Sequence, residues 1–303
     1  MNLRAKTLAA KVVAPSLSVI LSTAGGAFAS DASDNDLPLW ELGIGAAAFH
    51  QPNYPGSDVR STTAFPFPYV IYRGDWFRID RSLQGILYET RGIKVDLSAG
   101  ATSLVESDES DARRGMPDLD PTFEVGPAVS LLLTDPNRPD NVWARVAVRT
   151  AVSVDTDEWN FDQQGWTLDG RLRYQRPLAG KALKLSAEIG ASFADEDYNG
   201  YFYDVPAVYA TPQRPAYSSD SGYAGARLGL GLSGVSGQWR WSAYGAYLNY
   251  SGSAFADSPL LDSEHDFTLG ASIAWMFWKS ERTVVPKNTS PGGQFDTPLI
   301  LGF

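Results

Sequence analysis

Apolar and polar residues alternate with period two along most of this chain, in segments of ten to thirteen residues, and that pattern restricts its fold more than any other feature. A strand places successive side chains on opposite faces, so such alternation gives one apolar and one polar face. Residues 93–102 set Ile93, Val95, Leu97 and Ala99 against Lys94, Asp96, Ser98 and Gly100. Residues 142–154, 166–176, 183–193 and 267–278 repeat the pattern, and weaker segments lie at 39–49, 64–72, 75–82, 84–90, 122–134, 222–233 and 239–250. That makes twelve segments, or ten if the weakest are discounted. Strands of a soluble sandwich have a modal length of about 5–6 residues. Strands of a membrane barrel run to about 9–11, turn the apolar face to lipid and carry aromatics at both interfaces. Trp166 and Tyr174, Phe267 and Phe277, and Trp239 and Tyr250 lie near segment ends in this way. The prediction is all-β: a transmembrane antiparallel barrel of about twelve strands, ten being the alternative.

The ends of the chain agree with export. Arg4, Lys6 and Lys11 precede an apolar run over 12–24, and Ala27-Phe28-Ala29 offers small residues where a signal peptidase reads them. Cleavage after Ala29 is expected, leaving a barrel over 30–278 and a C-terminal periplasmic tail over 279–303, whose Pro, Gly, Ser and Lys content suits disorder. The apolar run is shorter than the roughly 20 residues of a spanning helix. If the first strand ascends from the periplasm, the connections at 50–63, 83, 106–121, 155–163, 195–221 and 251–266 are external, and all but that at 83 are long. Those at 73–74, 91–92, 135–141, 177–182 and 234–238 are short periplasmic turns.

Composition removes several functions. A net charge of −10 argues against a nucleic-acid partner. The absence of Cys removes disulfides, thiolate metal sites and cysteine catalysis, and two His leave little for imidazole chemistry. No cofactor or metal is expected. Barrel closure would bring the segments carrying His50 and His265 together, near Ser57, Asp58, Glu264 and Asp266. A Ser–His–Asp arrangement or a two-His metal site could be built there; ordinary hydrogen bonding by rim histidines accounts for them as well. No catalytic residue is assigned.

The polar face predicts the lumen. Arg78, Lys94, Arg145, Arg149, Arg171, Arg173, Lys184 and Arg227 share it with Asp80, Asp96, Glu124, Asp169 and Glu188. Charges in a confined wall must be paired or hydrated, so an ion-pair network is one reading. A narrow anion-leaning pore is the other, because the basic residues are in excess. Acid crowds the external loops instead, at Glu106, Asp108, Glu109, Asp111, Asp118 and Asp120, at Asp155, Asp157, Glu158 and Asp162, and at Asp195, Glu196 and Asp197. These carboxylates suit a solvated surface or cation-bridged contact with lipopolysaccharide, although no EF-hand spacing is present.

An ordered set of motifs resembles one family. Tyr54-Pro55-Gly56-Ser57-Asp58 is followed by Pro66, Pro68 and Tyr69, then Tyr72-Arg73-Gly74. Tyr201-Phe202-Tyr203 lies in the longest loop, and Gly229–Ser233, Trp239–Tyr250 and Asp257-Ser258-Pro259-Leu260 follow. Over about 37–278 the chain resembles the MipA/OmpV family of MltA-interacting proteins. The resemblance implies an outer-membrane scaffold in the Gram-negative cell envelope, which in some members links a lytic transglycosylase to a bifunctional peptidoglycan synthase. Other members are described as adhesins or antigens. The family's barrels normally end at an aromatic read by the barrel assembly machinery. Here Trp275 and Phe277 are followed by the 279–303 extension, a departure. In physical terms Pro55-Gly56 suits a tight turn. Pro66 and Pro68 predict a strand that is irregular or partly unpaired at its start.

Overall fold

The computed structural model describes residues 37–74, 78–80, 83–84, 86–102, 104–155, 159–178 and 182–284. The cleavage residues Ala27 and Ala29 lie outside them, as does the chain beyond Val284. No helix among the described residues is long and apolar enough to cross a membrane.

The strands are β1 (Leu37–Pro38), β2 (Trp40–Pro52), β3 (Arg60–Arg73), β4 (Arg78–Asp80), β5 (Leu83–Gln84), β6 (Ile86–Glu89), β7 (Ile93–Ala101) and β8 (Thr122–Leu132). After these come β9 (Asn141–Asp155), β10 (Asn160–Leu178), β11 (Leu183–Ala194), β12 (Gly222–Ser236), β13 (Trp239–Asn249), β14 (His265–Lys279) and β15 (Thr283–Val284). One antiparallel sheet runs in the order β5-β4-β3-β2-β14-β13-β12-β11-β10-β9-β8-β7-β6. The expected neighbours at the ends of the chain do pair, with Gly270 opposite Phe49 and Ala271 opposite Ala48.

The two edges of this sheet, β5 and β6, are separated by residue 85 alone. Since consecutive Cα atoms are about 3.8 Å apart, the sheet must curl round until its edges nearly touch. It is an outer-membrane-type barrel, with β5 and β6 at the two ends of the sheet order. Among the described residues ten strands have nine residues or more, and within the expected pair 75–82 and 84–90 the described residues form β4, β5 and β6. On its second edge β3 has a ladder partner among the described residues only at Ile71–Arg73. Pro66 and Pro68 therefore occupy an edge, as their missing N–H groups require.

The burial pattern is inverted relative to a soluble protein. Leu97, Val129, Val146, Leu168, Leu172, Ile189, Leu230, Leu269 and Ile273 are exposed, whereas Lys94, Asp96, Glu124, Arg149, Asp169 and Arg227 are buried. Lipid is the solvent that makes such an arrangement stable. Trp166 and Tyr174 sit at the two ends of the apolar stretch of β10, and Phe267 and Phe277 at those of β14.

Past the barrel boundary expected at 278, β14 runs to Lys279 and β15 pairs with β1, Thr283 opposite Pro38 and Val284 opposite Leu37. The expected turn at 73–74 also moves, because Tyr72 and Arg73 belong to β3, opposite Ile79 and Arg78.

Candidate functional site: a charged lumen beneath an aromatic plug

Ten charged side chains of β7–β12 form ion pairs on the polar face of the sheet. Asp96 accepts from Arg145 at 2.9 Å and meets Lys94 Nζ at 2.8 Å. Next around the wall, Arg149 Nε donates to Glu124 at 2.7 Å, its Nη2 meets Asp169, and Asp169 also accepts from Arg171 at 3.1 Å. Glu188 bridges Arg173 and Arg227 at 2.5 and 2.8 Å. Lys184 is buried on the same wall. These clusters follow from register: Asp96, Ala128 and Ala147 are directly opposite across β7–β9, and Arg173 faces Glu188 across β10–β11. Arg78 and Asp80 are placed in β4 by their backbone, and their side chains lie outside the description.

One cluster was not in the predicted lumen set. Glu41 accepts from Arg73 and Arg240, each at 2.6 Å, at the short-turn end. Arg73 also donates to the Pro38 carbonyl at 2.7 Å, tying β1 to the rim. Glu41 precedes Leu42 on a strand whose polar face is mostly glycine and alanine, so alternation marks it weakly.

Above the Glu41 cluster, β2, β3 and β13 turn a run of aromatic rings inward. Phe49, Phe65, Phe67, Tyr69 and Tyr244 form a continuous column of rings, neighbours lying 5.8–6.4 Å apart. Glycines make room for it: a Cβ on Gly270 would sit 2.1 Å from the Tyr244 ring, and one on Gly45 2.5 Å from Phe67.

The long loops fold into the barrel mouth. Their buried core comprises Tyr54, Val105, Leu119, Tyr198, Phe202, Tyr203, Val205, Tyr250, Phe255 and Leu260, packed on Ala151, Ala194, Ala224, Ala246 and Leu248 of the strands. A short helix, α1 (Glu196–Tyr203), enters this core; sequence alternation gave only a loop there. Asp195 caps it by accepting from the Tyr198 amide at 3.0 Å, and Glu196 and Asp197 suit its first turn. The cap fits because Gly165, at φ 93°, carries no Cβ; one would lie 2.1 Å from the Asp195 carboxylate. An Asp followed by aromatics at 198, 201 and 202 was the available signal.

Family motifs far apart in sequence meet in this plug. Tyr203 stacks on Phe255 at 3.8 Å and donates to the Pro55 carbonyl at 3.0 Å. Ser258 Oγ donates to the Tyr203 carbonyl at 2.7 Å, and Tyr54 donates to the Leu260 carbonyl at 2.9 Å. The Gly56 amide, at φ 77°, donates to Asp266 at 2.7 Å, and Ser57 is buried beside it. Pro259 lies between Ser258 and Leu260. Arg113, 2% exposed, donates to the Phe202 carbonyl at 3.0 Å and to Ser107 at 3.1 Å, with Tyr54 beneath its guanidinium. Arg214 binds the carbonyls of Ala112 and Tyr209, joining two loops. Tyr198 donates to Glu124 at 2.7 Å, so the plug is bonded to the lumen ion pairs. Tyr72-Arg73-Gly74 is at the opposite end and takes no part.

Burial pushes the Tyr54 phenol up to about 12, with Asp262 adding to it, and raises Tyr203 well above the usual phenol. The two histidines are held separately. His50 meets Thr62 and Arg60, whereas His265 meets Tyr247 at 2.8 Å and stacks on its ring. The geometry assembles no Ser–His–Asp relay from them. In the 106–121 loop, Asp111 pairs with Arg114 and Asp118 accepts from the Ser107 amide.

An inward polar wall, an outward apolar band and aromatic ends define a barrel of the bacterial outer membrane. The chain matches the family model described as MltA-interacting protein MipA over residues 44–277 and belongs to that family. It is 34% identical over 89 residues to outer membrane protein OmpV of Vibrio cholerae, covering 29% of this chain and 34% of that one. It is 30% identical over 97 residues to outer membrane protein Omp26La of Vibrio anguillarum, covering 32% of this chain and 37% of that one. The match thus spans about a third of either relative. A bacterial polysaccharide outer membrane secretin is similar at 10% identity and a TM-score of 0.38, over 78% of this chain and 99% of that one. That likeness is too loose to bear on function.

Proposed function

We propose that this protein is a non-enzymatic scaffold, whose short-turn end docks peptidoglycan-remodelling enzymes, a murein hydrolase with or without a synthase. The observation that supports it best is the filled mouth: loops carrying Tyr54, Tyr203, Phe255 and Leu260 occupy one end of the lumen. The charges lower down are bound to one another, which leaves less field for a permeating anion. The family description names an interaction with MltA, and the short-turn end offers a fixed surface. There β1 and β15 are tied to the barrel by Arg73 and by Ser280, whose amide donates to the Trp40 carbonyl at 2.9 Å. In this reading the long loops face outward, against lipopolysaccharide.

Photo-crosslinking in cells from Pro139, Gly237 and Thr283 tests the proposal. Recovery of a lytic transglycosylase or a peptidoglycan synthase is expected. Recovery of the barrel assembly machinery alone would refute it. Discrete conductance steps from the purified barrel in planar bilayers would favour a channel instead.

A further inference from the structure

Pro66 and Pro68, to which the scaffold gives no role, mark a break in the wall. The Arg73 amide bonds the Leu39 carbonyl, so in this register the odd-numbered residues of β3 bond β2 and the even-numbered ones turn their backbone to the other edge. On that edge β4 reaches only Ile71–Arg73. Residues 81 and 82 alone join β4 to β5, and Leu83 is already opposite Ile79, so this hairpin is too short to climb to Arg60. At the other end of the sheet order, β6 pairs with β7 at Lys94–Asp96. Among the described residues Leu97–Ala101 are laddered on the β8 side alone. Arg60–Val70 and Leu97–Ala101 therefore flank an unladdered stretch of wall in the long-loop half, above β4–β6. Pro66 and Pro68 fall on its edge, where their missing N–H groups leave two fewer donors unpaired and bar another strand from completing the ladder.

This break lies within the lipid-facing band. Ala64 stands opposite Ala48, and Ala48 opposite Ala271; Pro68 stands opposite Ile44, and Ile44 opposite Trp275. Ala48, Ala64, Pro66, Pro68 and Ala271 are exposed on the outward face. On the inward face of the same stretch lie Phe65 and Phe67, both half-buried, with Tyr69 and Phe49 in line, each ring 5.8–6.4 Å from the next. Covering these rings with hydrocarbon removes apolar area from a polar interior, worth about 25 cal/mol per Å². The loop core fills the way in from above, and the Glu41 ion pairs stand at the lower end, so the side is the open approach.

We propose that the edge of β3 over Arg60–Val70 borders a lateral port, which admits an acyl chain of an outer-membrane lipid onto the rings of Phe49, Phe65, Phe67 and Tyr69. The surrounding medium supplies the occupant, since the band beside this edge exposes Ile44, Leu269 and Ile273 to lipid. The inference is independent of the scaffold reading. For the test, the full protein is placed in phosphatidylethanolamine/phosphatidylglycerol vesicles containing a phosphatidylethanolamine with a diazirine midway along one acyl chain. After irradiation, fragment mass spectrometry assigns the labels to single residues. Label is expected on Phe65, Phe67 or Tyr69 as well as on the outward Ile44 and Leu269. Ala64→Lys sets a charge at the rim, costly in lipid, and should cut the label on the rings about fivefold or more. Ala271→Lys, in the same row two strands away, should leave that label within about twofold, because its charge is equally costly but stands off the port. The heat-modifiable gel shift checks folding, and Ala64→Gln takes the place of Ala64→Lys if the latter fails to fold. Label confined to outward residues, an equal loss in both variants, or no loss in the Ala64 variant would overturn the inference.

Discussion

Arg113 offers the sharpest test of how the plug is held. Its guanidinium is buried and donates to the carbonyls of Phe202 and Pro117 and to Ser107, holding two loops together. Arg113→Ala removes these bonds, the Pro117 carbonyl keeping only the Ser107 hydroxyl at 2.6 Å among the side-chain donors to it. A bond to a charged group contributes about 1.5–3 kcal/mol. The three share one side chain and do not add fully, so a local loss of about 3–5 kcal/mol is expected. That raises the population of the unlatched plug by roughly a hundredfold to several thousandfold. The strands carry their own ladder and should stay folded. Amide hydrogen exchange of 107–119 and 196–219 should accelerate accordingly, with protection of β10–β14 unchanged. Arg113→Lys, which keeps the charge but not the fork, should fall between. Unchanged exchange in both loops would show that apolar packing alone holds the plug. Simultaneous loss of protection in the strands would show that plug and barrel fold as one unit.

Glu188→Gln should destabilise the barrel by about 3–5 kcal/mol, because Arg173 and Arg227 are left without their shared carboxylate; denaturant unfolding followed by the gel shift checks it. Gly56→Ala should cost about 1–3 kcal/mol through its positive φ and the Leu261 methyl 2.1 Å from the new Cβ. Faster exchange of 54–60 would report it. Alkali should loosen the plug. The folded Tyr54 phenol is raised above its unfolded value near 10, so its contribution is full below about pH 10 and is lost as pH climbs through about 12. Spectrophotometric titration should show late-ionising tyrosines, fewer in Tyr54→Phe.

Much of the wall was legible because alternation is local. Lys94, Asp96, Arg145, Arg149 and Glu188 could be assigned to the lumen from parity alone, since a strand must put every second residue on one face. Arg73 shows where that reasoning stops: Tyr72-Arg73-Gly74 has the chemistry of a turn, yet β3 continues through Arg73 to reach Glu41. The hairpin bulge between Gln163 and Trp166 likewise breaks parity, so the outward aim of Phe161 followed from no simple count.

The sequence by itself determined the export signal expectation, the antiparallel barrel and the sign of its two faces, because these depend on neighbours one or two residues apart. Only the tertiary structure decided which charges pair, which strands end the sheet order, and that Tyr54, Arg113, Tyr203, Phe255 and Leu260 form one core. Those contacts span up to 206 residues, and register around a curled sheet, not the spacing along the chain, brings such groups together.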